Sequence, residues 1–225
     1  ASGQTVTLNH TASDFTGAVG ITAGNVAVTV VNGIVLGEST VSGTYAVTAG
    51  DAITNTGTLD ITGITTINAS EKNVSLNHAT NNFKNEVRIT GANVAVRDVG
   101  AIVLGPSTVS GTYDITAGST VTDSATGELD IEGVTTINAS GQTVTLDHAA
   151  SDFTGAVEII AANVAVTDVN GIVLGDSTVS GTYTVTAGGV ITNSGALDIT
   201  GITTITGTDI TLDHASNDFK NAVRV

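Results

Sequence analysis

The sequence predicts an all-β fold: a right-handed parallel β-helix, or β-solenoid, of about 13 coils. Three observations predict it, namely a long internal repeat, a shorter period of strand-like triplets within each repeat, and a composition suited to short strands and tight turns. The 225 residues include 27 Gly but only three Tyr, four Phe and one Pro. Thr, Val and Ile dominate the strand-like runs, and Gly, Asn, Ser and Asp fill the segments between them, as expected of strands and turns.

The long repeat has a period of about 68 residues. The string TVTLNHTASDFTGAV at 5–19 returns, with substitutions, at 73–87, 143–157 and 209–223. Each of three less common residue types keeps one repeat position: His10, His78, His148 and His214; Phe15, Phe83, Phe153 and Phe219; Tyr45, Tyr113 and Tyr183. The first and third copies carry SDFTGAV, whereas the second and fourth carry Lys and Arg around the same segment. The chain therefore looks like a duplicated doublet of about 138 residues.

A shorter period lies within each repeat. Triplets with apolar outer residues and a small or polar centre begin at Val6, Val26, Tyr45 and Leu59, and the next repeat resumes at Val74. This alternation has the period of two that places successive side chains on opposite faces of a β-strand. Further strands are predicted between the triplets, at 18–21, 33–36, 52–54 and 65–67.

Such short strands cannot bury their apolar residues alone, but successive coils of 14–20 residues can do so by stacking. We therefore predict one continuous solenoid over residues 1–225, with four coils in each repeat of 66–70 residues. The repeat units are 1–68, 69–138, 139–206 and a partial unit at 207–225. With coils ~4.8 Å apart, the rod would be roughly 60 Å long. The lack of Met indicates a piece of a longer polypeptide.

A string of small β-sandwich domains, one in each repeat, is the main alternative fold. A unit of about 68 residues would be small for a sandwich. Such a domain would also not require its strands to share one triplet pattern, whereas stacked coils of a solenoid do require it. The shared pattern therefore favours the solenoid.

The composition argues against several classes of partner. Six Lys and Arg against 21 Asp and Glu give a formal net charge of −15, which argues against binding to nucleic acid or to an anionic membrane surface. No apolar run approaches the ~18 residues of a membrane-spanning helix, so no membrane insertion is predicted. The absence of Cys excludes disulfides and zinc–sulfur sites, and it suits an extracellular bacterial protein.

The triplet centres predict a lateral contact face along the rod. Their side chains point outwards and are small or acidic: Thr7, Ala27, Ala46, Asp60, Ser75, Ala95, Thr145, Ala165 and Thr184. Small side chains allow another rod or a flat ligand to approach closely, although they are equally compatible with simple exposure on a stacked sheet. The mixture lacks the regular rows of Thr that an ice-binding solenoid needs.

Residues that could carry chemistry recur in every repeat and form no asymmetric cluster. Equivalent His residues would lie about 19 Å apart, too far to share a metal ion, so each is predicted to make a structural hydrogen bond at a corner. The segment 168–171 resembles the start of a calcium loop, but the other repeats do not keep it. No catalytic residue, metal site or cofactor is predicted, apart from weak, non-specific divalent cation binding by the acidic residues. A polysaccharide-cleaving β-helix would need paired carboxylates at one site.

The segment NVAVTDVNGIVLGDSTVSGTYTVTAGGVITNSGALDITG at 163–201 and its copies resemble filamentous-haemagglutinin-like surface proteins of bacteria. The resemblance covers the whole chain and consists of V-x-[LVI] strands, Gly-rich turns and near-exact long repeats. It implies the right-handed β-helical shaft of a very large secreted protein, of a kind often exported through a partner outer-membrane pore. The unequal coil lengths depart from that family's pattern.

These observations predict a structural rod segment of a large, repetitive extracellular protein that acts as adhesin shaft, stalk or filament subunit on a bacterial cell surface. The expected partners are other copies stacked end to end, because uncapped terminal coils expose strand edges, and a cell-surface glycan or another cell. A glycan- or rod-binding module that uses the Thr/Ala face is the alternative, and a polysaccharide-cleaving enzyme is the least favoured one.

Overall fold

The computed structural model describes residues 3–10 and 12–225, which form β-strands joined by turns and irregular segments. Every strand pairing among these residues is parallel, between partners 17–23 residues apart in the chain. Each strand therefore pairs with strands one turn below and one turn above. The chain is a parallel β-solenoid of about 11 turns, which confirms the predicted fold class, while its handedness stays a prediction.

Thirty strands build the described turns, and all but two of them have two to six residues. The first fifteen are β1 (Thr5–Leu8), β2 (Thr22–Ala23), β3 (Asn25–Val30), β4 (Ile34–Leu36), β5 (Ser39–Val41), β6 (Tyr45–Ala49), β7 (Ile53–Asn55), β8 (Leu59–Ile61), β9 (Thr65–Asn68), β10 (Val74–Leu76), β11 (Asn82–Phe83), β12 (Glu86–Gly91), β13 (Val94–Asp98), β14 (Ile102–Leu104) and β15 (Ser107–Val109). The others are β16 (Tyr113–Ala117), β17 (Val121–Asp123), β18 (Leu129–Ile131), β19 (Thr135–Leu146), β20 (Asp152–Phe153), β21 (Ala156–Asp168), β22 (Ile172–Leu174), β23 (Ser177–Val179), β24 (Tyr183–Ala187), β25 (Val190–Asn193), β26 (Leu197–Ile199), β27 (Thr203–Thr206), β28 (Asp209–Thr211), β29 (Asp218–Phe219) and β30 (Val223–Arg224).

Two long columns of paired strands run along the coil. Column A consists of β1, β3, β6, β9, β12, β14, β17, β19, β21, β24, β27 and β30. Column B consists of β4, β7, β10, β13, β16, β19, β21, β22, β25 and β28. The long strands β19 and β21 contribute their first halves to column B and their second halves to column A.

One repeat occupies three and a half turns of the coil. Seven pairing steps of column A lead from β1, with Val6, to β19, with its repeat equivalent Val144. The equivalent residue of the second repeat, Val74, lies in column B instead. Equivalent residues of neighbouring repeats therefore lie on different sides of the coil. Equivalent residues two repeats apart lie in the same column.

The predicted number of coils, about 13 with four per repeat, is wrong. The prediction assigned the triplet at Leu59 to a coil of its own, above the one that begins at Tyr45. In the structure Tyr45 pairs with Thr65 on the next turn, and Leu59 pairs with Ser39. Both kinds of triplet bury alternate residues, so the apolar pattern alone does not show which side of a turn a triplet occupies.

Three shorter ladders lie beside the columns. They are β2–β5–β8–β11, β15–β18–β20 and β23–β26–β29. Each ends at the Phe of the following repeat: Phe83, Phe153 or Phe219. Sequence reasoning missed β5 and its equivalents, because a three-residue STV run between polar residues gives almost no periodic signal.

The core is continuous along the described coil. Inward residues alternate with outward ones, as in β3, where Val26, Val28 and Val30 are buried. The small number of aromatic residues indicates a narrow core with room for little besides Val, Ile and Leu, and it predicts that Tyr and Phe lie at corners or at the ends of strands. The three Tyr do begin strands, and Phe83, Phe153 and Phe219 end them. All three Tyr are fully buried, so the prediction of a core with room for little besides Val, Ile and Leu is wrong. Each Tyr pairs with a Thr on the next turn, whose small side chain leaves space for the ring.

Stacked glycines line one corner of the coil. The Gly133 N–H donates to the Gly111 carbonyl at 3.1 Å, and Gly155 lies on Gly133 on the next turn. A Cβ atom added to Gly133 would overlap the backbone carbonyl of Gly111, and one added to Gly155 would overlap that of Gly133. Turns can therefore approach to pairing distance here only where no side chain separates them.

The buried tyrosines should make alkaline unfolding cooperative. Burial raises the pKa of Tyr45 from 10.0 to about 12 and raises those of Tyr113 and Tyr183 as well. The unfolded chain ionises near pH 10, so stability present below that pH is lost as the pH rises towards the folded value. We expect tyrosinate absorbance to appear only together with loss of the β-sheet circular dichroism signal. Titration near pH 10 with the sheet signal intact would show that the rings are exposed.

Candidate functional site

The nine residues of the predicted contact face do not form one face. Six lie in column A: Thr7, Ala27, Ala46, Thr145, Ala165 and Thr184. Ser75 pairs with Ala95 in column B. Asp60 lies in the ladder of β5, β8 and β11, between Thr40 and Asn82. Three and a half turns per repeat move Ser75 and Ala95 to the other column, and Asp60 lies outside both columns because the triplet at Leu59 belongs to a short ladder. Whether the six residues in column A contact a partner stays a prediction.

Column A contains a strip of small, uncharged side chains, here called the column A strip. It consists of outward residues on six successive turns: Val103, Thr122, Thr145, Ala165, Thr184 and Thr204. All six are half-buried, and the residues on either side of them, such as Val164 and Val166, belong to the core. No side chain of the strip is larger than Val, so the strip is a smooth surface of β-sheet.

A charged cluster lies before the first residue of the strip. Here called the first cluster, it consists of Asp60, Lys84, Glu86 and Arg88. Lys84 Nζ lies 2.6 Å from Asp60 Oδ1, and Arg88 Nε donates to Glu86 Oε2 at 2.9 Å. Burial raises the pKa of Glu86, but the nearby Ser124 hydroxyl and the Arg88 guanidinium lower it by more, so the pKa lies below its usual value. Glu86 pairs with Val103, so the cluster joins the strip directly.

A second cluster lies beyond the last residue of the strip. It consists of Asp198, Asp218, Lys220 and Arg224. Lys220 Nζ lies 2.6 Å from Asp198 Oδ1 and 3.7 Å from Asp218 Oδ2, and the bond to Asp198 raises the pKa of Lys220. Arg224 pairs with Thr204, the last residue of the strip. The basic residues of the two clusters are equivalent residues of the second and fourth repeats, and Asp60 and Asp198 are equivalent residues of the first and third.

The distribution of basic residues follows the alternation of the repeats. All six Lys and Arg belong to the second and fourth repeats: Lys72, Lys84, Arg88, Arg97, Lys220 and Arg224. Four of them form the two clusters, whereas Lys72 precedes β10 and Arg97 lies in β13, both at column B. The third repeat has Glu158 where the second has Arg88, and Glu158 lies in column B next to Thr136. Column A thus receives a basic residue every seventh turn.

Each of the four His rings contacts the residue two positions later in the chain. The Nδ1 atom of His148 lies 3.4 Å from the N–H of Ala150, and His10 and His214 make the same contact with the residue two positions later. His78 Nδ1 instead lies 3.0 Å from Thr80 Oγ1. The structure therefore shows the predicted local hydrogen bonds.

The carboxylate of the calcium-like segment caps backbone amides. Asp168 Oδ2 accepts from the Phe153 N–H at 2.8 Å, and Oδ1 accepts from the Asn170 N–H at 2.7 Å. Asp98 makes the equivalent pair of bonds in the second repeat. Burial raises the pKa of both carboxyls. Over residues 3–10 and 12–225, no group of three or more potential ligands is placed to hold a metal ion.

The sequence shows which segments carry Lys and Arg, but not on which side of the rod these segments lie. The signal for their placement is present as the alternation of the second and fourth copies with the first and third. This alternation can be converted into positions on the rod only when the number of turns per repeat, three and a half, is known. The described part of the coil contains no helix with the length and apolar character needed to cross a membrane.

Comparison with protein families gives a match over most of the chain. The model of a family described as repeats of unknown function (DUF5649) matches residues 23–90, 91–160 and 161–225. These matches begin at Ala23, Gly91 and Ala161, the residues that pair with Val41 of β5, Val109 of β15 and Val179 of β23. Comparison with curated proteins and with solved structures finds no match.

Proposed function

Because the chain belongs to the family of repeats of unknown function, DUF5649, and its repeats build one solenoid, we propose that it is a structural rod segment of a large, repetitive extracellular surface protein. In that protein it serves as an adhesin shaft, a stalk or a filament subunit. This is the role implied by the resemblance to filamentous-haemagglutinin-like proteins.

The pairing between repeats carries this proposal. Strand β9 of the first repeat pairs with β12 of the second over four residues, from Thr65–Val87 to Asn68–Thr90. Strands of the second and third repeats pair equally closely where β19 meets β21. Repeats joined in this way cannot move independently, because each turn covers the apolar residues of the turn beneath it. Added repeats therefore lengthen the rod, as a shaft requires.

The proposal assigns the rod to the outside of a bacterial cell. A net charge of −15 keeps long rods dispersed. The proposed partners are copies or neighbouring coils stacked end to end, and a cell-surface glycan or another cell. The proposal includes no catalytic activity, no cofactor beyond weak divalent cation binding, no nucleic acid and no membrane insertion.

A rod-binding module is the second candidate, and the column A strip favours it. Its six small side chains are partly exposed on consecutive turns, so a second sheet could pack against them. This role is compatible with the first, since shafts can associate.

The proposal is tested by adding doublets and by locating the protein. Chains with one, two and three copies of the doublet should gain roughly 34 Å in maximum dimension per copy in small-angle X-ray scattering. Antibodies against the chain should label the surface of intact source cells. Compact particles whose diameter grows only slowly with copy number would overturn the rod, and labelling confined to permeabilised cells would overturn the surface role.

A further inference from the structure

The two charged clusters and the strip between them form a self-complementary surface. We infer that two copies of the chain associate side by side and antiparallel through the column A strip, with the first cluster of each copy against the second cluster of the other. The inference rests on the proposed rod and names its partner, which is a second copy of the same chain.

Charge selects this surface over the rest of the rod. The two clusters together contain four basic residues and four acidic ones, so they are neutral overall. The rest of the chain carries the other two basic residues, Lys72 and Arg97, against 17 acidic ones, of which Asp98 and Asp168 are buried. Two copies repel each other wherever those acidic surfaces meet, within a Debye length of about 8 Å. The column A strip itself is uncharged, so a second copy that approaches this side meets less of this repulsion.

The spacing of the clusters suits an antiparallel pair. Arg88 and Arg224 lie in β12 and β30, seven turns apart in column A, which is about 34 Å. The middle of the strip falls between Thr145 and Ala165. A two-fold axis at this point reverses the second rod and places each cluster against the other one, so that Lys and Arg of one copy meet Asp and Glu of its partner. Such an interface is isologous and closes as a dimer.

The strip itself permits close contact. Its residues are Val, Ala and Thr, so the two sheets can approach without a large side chain between them. Asp147, exposed at the end of β19, follows Thr145 by two residues and lies near the proposed axis. Its charge opposes the association, and Asp147→Asn should therefore strengthen it.

Disulfide cross-linking tests the inference directly, because the chain contains no Cys. Ala165→Cys places a thiol beside the proposed axis in column A. Ala95→Cys is the matched control, since Ala95 occupies the same repeat position but lies in column B. Under mild oxidation we expect the Ala165→Cys protein to form a covalent dimer about tenfold faster than the control, because association raises the effective thiol concentration. Equal rates would overturn the inference.

Charge reversal provides a second test with the net charge held equal. Lys84→Glu with Lys220→Glu changes both clusters, whereas Lys72→Glu with Arg97→Glu makes the same charge change at column B. In sedimentation velocity at low salt, we expect the wild type and the column B variant to associate more strongly with rising concentration than the cluster variant, which keeps only its end-to-end contacts. Equal behaviour of the two variants, or a monomeric wild type, would overturn the lateral pairing. A monomer that keeps its rod dimensions in scattering would leave the proposed function intact.

Discussion

Gly133→Ala should destabilise the coil by about 3 kcal/mol or more. The new Cβ would overlap the backbone carbonyl of Gly111 on the neighbouring turn, and backbone cannot rotate away as a side chain can. The turns would have to separate, which would break the bond from the Gly133 N–H to the Gly111 carbonyl and loosen the pairing on either side. Denaturant unfolding followed by circular dichroism measures the effect.

Gly17→Ala is the control for this prediction. A Cβ at Gly17 meets no atom within 4 Å, and its backbone does not adopt a positive φ. The substitution should leave stability unchanged or raise it by about 0.4–1 kcal/mol, because Ala reduces the freedom of the unfolded chain. A similar loss in both variants would show that the stacked corner is not what limits the approach of the turns.

Phe153→Ala should cost about 3–5 kcal/mol of unfolding free energy. The ring is fully buried and pairs through its backbone with Ile131 at the end of its ladder. Its removal leaves a cavity between stacked turns that a paired backbone cannot close.

Phe15→Ala tests the same repeat position where the ring is less enclosed. Phe15 is only partly buried against the core, so less apolar surface is lost, and we expect no more than half the cost of Phe153→Ala. If urea titrations show equal losses of unfolding free energy in the two variants, the Phe ring stabilises its own repeat locally, and coverage by the neighbouring turn adds nothing.

The sequence is sufficient to predict the class of fold because inward and outward residues alternate in every strand. The alternation at Val26, Val28 and Val30 is visible as a period of two, and the recurrence of His, Phe and Tyr positions fixes the long repeat. The alternation shows which residues of a strand point into the core, but it does not show on which side of the coil the strand lies. This is why Leu59 was placed on the wrong turn and the predicted coils exceed the observed number.

The position of the candidate site depends on the number of residues in each turn of the coil, which the sequence period does not give. Thr7 and Ser75 occupy the same repeat position, and nothing in their local sequences distinguishes column A from column B. Their separation follows from the number of residues in a turn, which the lengths of the corners determine. Because a repeat takes three and a half turns, the same repeat position lies in column A in one repeat and in column B in the next. The alternation of basic and acidic residues between repeats therefore places basic residues at some positions of column A and acidic residues at the equivalent positions of column B.

The distance between Ala27 and Ala165 tests the central claim most directly. Both positions lie in column A, seven turns apart, and the chain has no other Cys to interfere with spin labels attached to Ala27→Cys and Ala165→Cys. Pulsed electron–electron double resonance on dilute protein should give one narrow distribution of label-to-label distances centred near 34 Å, which is the rise of seven stacked strands. A broad distribution without this peak, as separate domains on flexible linkers would give, would contradict the continuous coil.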